Sequence, residues 1–326
     1  MQEYKNKLKK VIAIIGPTGS GKTSWAKALA KKFNGKVISV DSRQIYKGMD
    51  IGTAKDKTFP QDLIDIVNPD ESYTVSDYQK AATELINGYL KVKSLPILVG
   101  GTGLYMESVL YGFVLPELKE QSEKLREDLG KLTDVELYKK LQEIDFEASK
   151  KIDPRNKRRV IRALEVTILS GKPFSAQQKK LKPKFDSLII GIKTDRETLY
   201  SKIDARVDQM IKEGLVEEVR KLADKYRKDL PAFNTIGYKE IFEYISANEI
   251  PRQSQLGHIS ATEIPRQDNL GYLSGKQTLK EAIEKIKNNT HAYVRRQDTW
   301  FNRDKNIHWV DDLSQAEKLI EKFLKK

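Results

Sequence analysis

Short, mainly apolar runs recur at Val11–Ile15, Lys36–Val40, Leu95–Val99 and Ser187–Ile192. Continuous runs of this length read as strands buried on both faces. Between them the apolar positions return at helical spacing, as in Thr23–Ala30 and Tyr78–Lys91. Alternating strands and helices predict an α/β fold with a parallel sheet covered on both sides. From residue 117 to 183 the strand pattern stops. Helical spacing runs instead over Ser122–Leu129, Asp134–Ile144 and Asn156–Ser170, with Gly171 placed to end the last helix. The expected organisation is a core of residues 1–116 and 184–326, interrupted by a mostly helical insertion at 117–183. Arg196–Arg227 reads as one long helical stretch, and Thr278–Gln297 and Ser314–Lys325 as two more.

Two adjacent segments, Ile245–His258 and Ile259–Tyr272, are tandem copies that agree at ten of 14 positions. Two copies are too few for a solenoid. Each carries a proline and a glycine, which argues against one continuous helix. The expectation is a duplicated insert, residues 245–272, within the core.

The first apolar run feeds Gly16-Pro17-Thr18-Gly19-Ser20-Gly21-Lys22-Thr23, which matches G-x-x-x-x-G-K-[ST] at every fixed position. Strand, glycine loop and helix in that order make a phosphate cradle. Backbone N–H groups converge on phosphate oxygens, and the helix N-terminus adds partial positive charge. Lys22 supplies a point charge, and the Thr23 hydroxyl is the candidate Mg²⁺ ligand. The fold expected is a phosphate-loop NTPase-like sheet with flanking helices. Ligands of such sheets gather at the carboxyl ends of the strands. Asp41, Gly100–Gly103 and Lys193–Arg196 all follow strand-like runs, so they are expected beside the loop. Asp41 has two chemical readings, support of a metal ion or general base, which spacing leaves open.

Composition narrows the partners. The 326 residues carry a formal charge of +13, which favours a polyanion. There are no cysteines and three scattered histidines, which excludes thiol chemistry and gives no metal cluster. The basic Met1–Lys10 precedes an apolar run too short for a secretory core, and no stretch approaches a membrane span. A cytoplasmic protein with no membrane partner is expected. One helix sharpens the polyanion reading. At about 100° per residue, Arg155, Arg158, Arg159 and Arg162 share one side, with Val160, Ile161, Leu164 and Ile168 broadly opposite. An arginine face against an apolar face suits RNA phosphates.

Further motifs converge on one family. Asp41 to Lys55 (DSRQIYKGMDIGTAK), Gly100 to Tyr105 (GGTGLY), the Arg159–Val166 region, Ile236 to Glu240 (IGYKE) and Tyr293 to Phe301 (YVRRQDTWF) resemble, in order, the signatures of bacterial-type tRNA dimethylallyltransferases. The resemblance implies transfer of a dimethylallyl group from dimethylallyl diphosphate to N6 of adenosine 37 beside the tRNA anticodon, with release of diphosphate. It implies that Gly16 to Thr23 holds a diphosphate rather than ATP, that Asp41 is the general base, and that Arg206 reaches the diphosphate. It further implies tRNA contacts from Asp41, Ser42, Arg43, Gln44, Thr102, Arg126 and the stretch Arg158, Arg159, Val160, Ile161 and Arg162. Mg²⁺ is the implied cofactor, the anticodon stem-loop the implied partner, and a monomer the expectation. For Arg206 the competing reading is an ion pair with Asp204, Asp208 or a glutamate, and for Thr102 a turn-stabilising hydroxyl.

The chain departs from the pattern in two places. Gln61-Asp62-Leu63-Ile64-Asp65 stands where the family usually has two histidines before Leu-Ile-Asp, and the duplicated segment has no counterpart. The alternatives are a phosphate-loop kinase using ATP on a small molecule, and a prenyltransferase acting on free adenine nucleotides. Neither explains the arginine helix.

Overall fold

The structure, a computed structural model, describes residues 9–112, 121–177, 183–248 and 278–326. It divides into two compact units, Met1–Met106 with Phe185–Lys326, and Glu107–Lys184. The helical unit therefore opens at Glu107, upstream of the change in pattern at 117.

The first unit is built on β1 (Lys9–Ile15), whose residues Val11 to Ile14 are wholly buried. β2 (Gly35–Ser39), β3 (Leu95–Gly100), β4 (Phe185–Ile192) and β5 (Ile307–Val310) complete a sheet of order β2-β3-β1-β4-β5. Every neighbouring pair is parallel. Strands covered on both faces have no polar side, which is why their runs are unbroken. The pattern of the chain misses β5. This short edge strand exposes His308 and Trp309 and buries only Val310, so it has no apolar run to read.

In chain order the helices of the first unit begin with α1 (Lys22–Lys32), α2 (Val75–Lys91) and α3 (Gly103–Glu107). The second unit contains α4 (Gln121–Gly130), α5 (Asp134–Ile144), α6 (Phe146–Ser149), α7 (Lys157–Ser170) and α8 (Phe174–Gln177). The first unit resumes with α9 (Arg196–Lys212), α10 (Leu215–Lys225), α11 (Tyr238–Asn248), α12 (Leu279–Phe301) and α13 (Leu313–Lys325). The single long helix expected over Arg196–Arg227 is two. Gly214, at φ 99°, turns the chain between α9 and α10 in a conformation that side-chain-bearing residues resist.

Two apolar clusters hold the first unit. One packs Ala26 and Leu29 of α1 and Ala316 and Ile320 of α13 on sheet residues such as Ile12, Ile14 and Ile97. The other gathers Ile45 and Met49 with α9 to α12, including Ile203, Val219, Tyr238 and Ile286. Ile245, the first residue of the repeat, is buried in that second cluster as part of α11. The duplicated insert thus begins inside a core helix, and its remainder lies outside the described residues.

In the second unit, Val160, Ala163 and Leu164 of α7 pack with Leu137 and Leu141 of α5 and with Leu129, Ala148 and Ile152. Ile161 is partly buried against this cluster. Ile168, expected on the apolar face, is 49% exposed near the end of the helix.

The strand order positions the site. The connection after β1 runs to β2 at one edge of the sheet, and that after β3 crosses β1 to reach β4. The crevice between the carboxyl ends of β1 and β3 is thus a topological switch point, where open α/β sheets bind ligands.

Candidate active site

The loop after β1 ends in Gly21, which precedes α1 with φ 86° and no side-chain cap. The first amides of α1 are therefore left for an anion. Lys22 folds back, and its Nζ donates to the Pro17 carbonyl at 2.6 Å. Burial pulls the ammonium down to about 7, with Asp41 opposing the change and Arg206 adding to it. A charge held at such a cost is poised to be stabilised by an arriving anion.

The loop after β2 carries Asp41. Its Oδ1 accepts the amides of Arg43 at 2.8 Å and Gln44 at 3.4 Å, which fixes the carboxylate. The loop after β3 is stitched to it. Thr102 N donates to the Val40 carbonyl at 3.2 Å, and Ser42 N donates to the Thr102 hydroxyl at 3.1 Å. Only glycine permits this approach, because a Cβ at Gly100 would lie 2.0 Å from the Val40 carbonyl oxygen. The turn-stabilising reading of Thr102 is thereby observed as geometry. Gln44 uses its amide internally, accepting from the Ser39 hydroxyl at 3.2 Å and donating to the Thr53 carbonyl at 3.1 Å. Arg43 donates to the Pro231 carbonyl at 3.3 Å.

Two adjoining cavities open at the switch point. One, of about 330 Å³, is lined by Thr18, Gly19, Gly21, Lys22 and Thr23 together with Asp41, Thr53 and Arg206. The other, of about 320 Å³, shares Thr18, Asp41, Thr53 and Arg206 and adds an apolar wall of Ile203, Val207, Met210, Ile236 and Ile286. Asp41 and Arg206 therefore stand where a phosphate cavity meets an apolar one. An amphiphile with an anionic head and a short hydrocarbon tail matches that pairing.

The two aspartates that could pair with Arg206 face other groups. Asp204 lies 2.9 Å from His291 and Asp208 lies 2.8 Å from Lys287. Arg206 instead lines both cavities, and burial lowers its pKa while Asp41 raises it. Lys193, Thr194 and Arg196 are not brought to the phosphate loop's cavity. They line a separate one with Trp309, Asp298 and Asp311 that touches only Pro17 of the loop. Asp195 caps α9 by accepting from Thr198 N at 2.8 Å. Among the described residues, no group of three or more His, Cys, Asp or Glu side chains could hold a metal ion.

In the second unit Arg158 and Arg159 are exposed. Arg155 precedes the helix and is paired with Asp153 at 2.9 Å. Arg162 and Arg126 both reach Glu165, each at 2.9 Å. Glu165 is wholly buried, and the Ser122 hydroxyl also donates to it. These bonds hold its carboxyl below the usual range against the opposing effect of burial. Val160 is a core residue with no exposed side chain, which removes it from the tRNA-facing set.

Residues from α12 went unassigned in the sequence although they lie in the Tyr293–Phe301 signature. Tyr293 and Arg296 line the apolar cavity. Burial raises the Tyr293 phenol to about 12, so it faces the cavity as a neutral donor. Their signal was helical spacing within that signature, but which loops the helix would meet is not written locally.

A phosphate loop faced by one ordered carboxylate and one half-buried arginine, next to an apolar cavity, defines a phosphate-loop group-transfer enzyme. The IPP transferase family model matches residues 44–304, and the isopentenyl transferase model matches residues 9–64. The chain is 42% identical to a tRNA dimethylallyltransferase of Thermoanaerobacter sp. (strain X514), over 97% of this chain and 96% of that one. It is 39% identical to that of Anoxybacillus flavithermus, over 93% and 90% of the two chains. Among solved structures it resembles the tRNA isopentenylpyrophosphate transferase of Bacillus halodurans, with TM-score 0.66, 37% identity and coverage of 98% and 96%. It also resembles a eukaryotic dimethylallyltransferase acting on tRNA, with TM-score 0.72, 26% identity and coverage of 94% and 75%. The chain belongs to the IPP transferase family, the family of the tRNA dimethylallyltransferases.

Proposed function

We propose that this protein transfers a dimethylallyl group from dimethylallyl diphosphate to N6 of an adenosine, at position 37 beside the anticodon of a tRNA. The observation that carries the reading is the junction at Asp41 and Arg206, where the phosphate cavity meets an apolar one. The diphosphate head occupies the loop from Gly16 to Thr23, and the five-carbon tail lies toward the apolar wall. In the reaction N6 bonds to C1 of the allyl group as the C1–O bond breaks. The electron pair leaves on the diphosphate oxygen. Backbone amides, Lys22 and Arg206 stabilise that charge where it develops. The N6 proton passes to Asp41, whose Oδ1 is tied to backbone amides and whose geometry is therefore fixed before substrate arrives.

The donor set suits Mg²⁺. It offers the Thr23 hydroxyl on the wall of a cavity that Asp41 and Asp56 also line, with no cage of protein ligands among the described residues. Mg²⁺ binds in this manner, through one or two protein oxygens plus substrate phosphates and water. When bound it would screen the charge growing on the leaving diphosphate. Acceptor contacts are assigned to Ser42, Arg43, Gln44 and Thr102 beside Asp41. The exposed Arg158 and Arg159 supply RNA phosphate contacts, while Arg126 and Arg162 are held on Glu165.

Incubation with isotopically labelled dimethylallyl diphosphate and unmodified tRNA, followed by digestion to nucleosides, tests the reading. Label should appear in N6-alkylated adenosine from the anticodon loop. Label on free adenine nucleotides alone, or ATP turnover with a small-molecule acceptor and no label in tRNA, would refute it.

A further inference from the structure

The Tyr293–Phe301 segment carries a buried polar side chain that the chemistry above leaves unused. Gln297, in the interior of α12, is 5% exposed. Its Oε1 accepts the backbone N–H of Thr18 at 2.9 Å, and its Nε2 donates to the Gly101 carbonyl at 3.0 Å. A backbone amide can only donate and a carbonyl can only accept, so the two bonds fix the orientation of the carboxamide. One side chain thus ties the phosphate loop after β1 to the glycine loop after β3, across the crevice where the sheet reverses. The fit is close on every side. A Cβ at Gly101 would lie 2.3 Å from the Gln297 amide nitrogen, and one at Gly103 would lie 2.2 Å from the Trp300 ring. Tyr293, Gln297 and Trp300 follow one another at i, i+4 and i+7, which places them on one face of the helix. That face meets the apolar cavity, the two loops and Gly103 in turn.

The glycine loop is in turn bonded to the loop of Asp41, through Thr102 N to the Val40 carbonyl and Ser42 N to the Thr102 hydroxyl. The sequence of contacts from Thr18 through Gln297, Gly101 and Thr102 to Ser42 therefore joins the loop that holds the leaving group to the loop that carries the base. We infer that Gln297 is a positioning residue of the transferase, setting the separation between the diphosphate held by the phosphate loop and the adenosine amine held at Asp41. The inference rests on the assignment of donor and acceptor made under Proposed function. It does not follow from burial alone, because a carboxamide that only filled space would not need one donor and one acceptor on two different loops. In-line displacement is sensitive to this separation, and a misplacement of about 1 Å can lower a rate by roughly 10²-fold.

The test uses the full chain, with dimethylallyl diphosphate and unmodified tRNA. Three quantities are read for each variant: affinity for inorganic diphosphate, affinity for tRNA, and the single-turnover rate with both substrates saturating. Gln297→Leu removes both bonds at similar volume. The saturated rate should fall roughly 10²-fold, with tRNA affinity within about twofold of wild type and diphosphate weakened only a few-fold. Gln297→Glu can accept from Thr18 but sets a buried carboxylate oxygen against the Gly101 carbonyl, and should be at least as slow as Gln297→Leu. Gly101→Ala attacks the same contact from the other side and keeps the measurement available if the leucine variant does not fold. Combining it with Gln297→Glu should add little to the worse single change, because the two share one interaction. A saturated rate within twofold of wild type in a folded Gln297→Leu or Gly101→Ala protein would overturn the inference. So would simple multiplication of the two effects in the double variant. A wild-type protein that places no label in tRNA would refute the proposed function itself, a separate result.

Discussion

The charge state of Lys22 gives the sharpest test of the phosphate loop. Burial strips water from its ammonium and pulls its pKa down to about 7, against 10.5 for a free lysine. At 1.36 kcal/mol per unit, holding the charge there costs about 5 kcal/mol. A diphosphate oxygen about 4 Å away returns roughly 4 kcal/mol per unit charge at an effective dielectric near 20, enough to restore the proton. The sign follows. Above pH 7 the empty site holds neutral Lys22 and the filled site holds ammonium, so binding takes up a proton and affinity falls as pH rises. Below pH 7 both states are charged and this group adds no slope. From pH 7 to 9 the contribution is a loss of about 50-fold in affinity for inorganic diphosphate. At pH 8, calorimetry in buffers of different ionisation enthalpy should count about 0.9 proton taken up through this group. Lys22→Met should remove that uptake and lower affinity while leaving tRNA binding intact, and its profile subtracts the ligand's own titration. Parallel profiles for wild type and Lys22→Met, at fixed Mg²⁺, would refute the assignment of the proton to Lys22.

Asp41→Asn keeps size but cannot take a proton, so the single-turnover rate should fall by about 10²–10⁴-fold with little change in either affinity. Substantial rescue across a Mg²⁺ series would move Asp41 to metal support. Neutralising the exposed Arg158 and Arg159 should lower the log–log salt slope of tRNA binding by roughly one per lost phosphate contact, with stability changed by less than about 0.5 kcal/mol. Arg162→Met should destabilise by about 1–3 kcal/mol in denaturant titration, because it strips a partner from the buried Glu165 carboxylate. Equal stability losses at exposed and Glu165-bound arginines would contradict this account. Gly100→Ala forces a Cβ onto the Val40 carbonyl and should cost more than about 2 kcal/mol. Gly88→Ala, with open space around it inside α2, should be neutral or stabilising by up to about 1 kcal/mol. A comparable loss at both glycines would show that the loop contact is not the cause.

The local chemistry of this protein was legible in the chain because it is written in contiguous residues. A strand buried on both faces must be an unbroken apolar run, and a phosphate cradle needs its glycines, lysine and threonine at fixed spacing, so β1 and Gly16 to Thr23 declare themselves. What a single segment does not contain stayed hidden. β5 owes its place to pairing with β4, not to any pattern of its own. The break at Gly214 depends on a backbone conformation that a helical pattern does not register. The face of an arginine helix is periodic and readable. Which arginines are tied up is decided by a partner carboxylate, Glu165, whose burial depends on the packing of α4, α5 and α7. The same holds for Arg206, freed for the cavity because Asp204 and Asp208 face His291 and Lys287 of a helix far along the chain. The bond from Gln297 to Thr18 closes a separation of 279 residues. Sequence spacing determines which groups lie on one turn or one strand end. Only the assembled sheet, with its reversal at β1 and β3, decides which distant groups share a cavity.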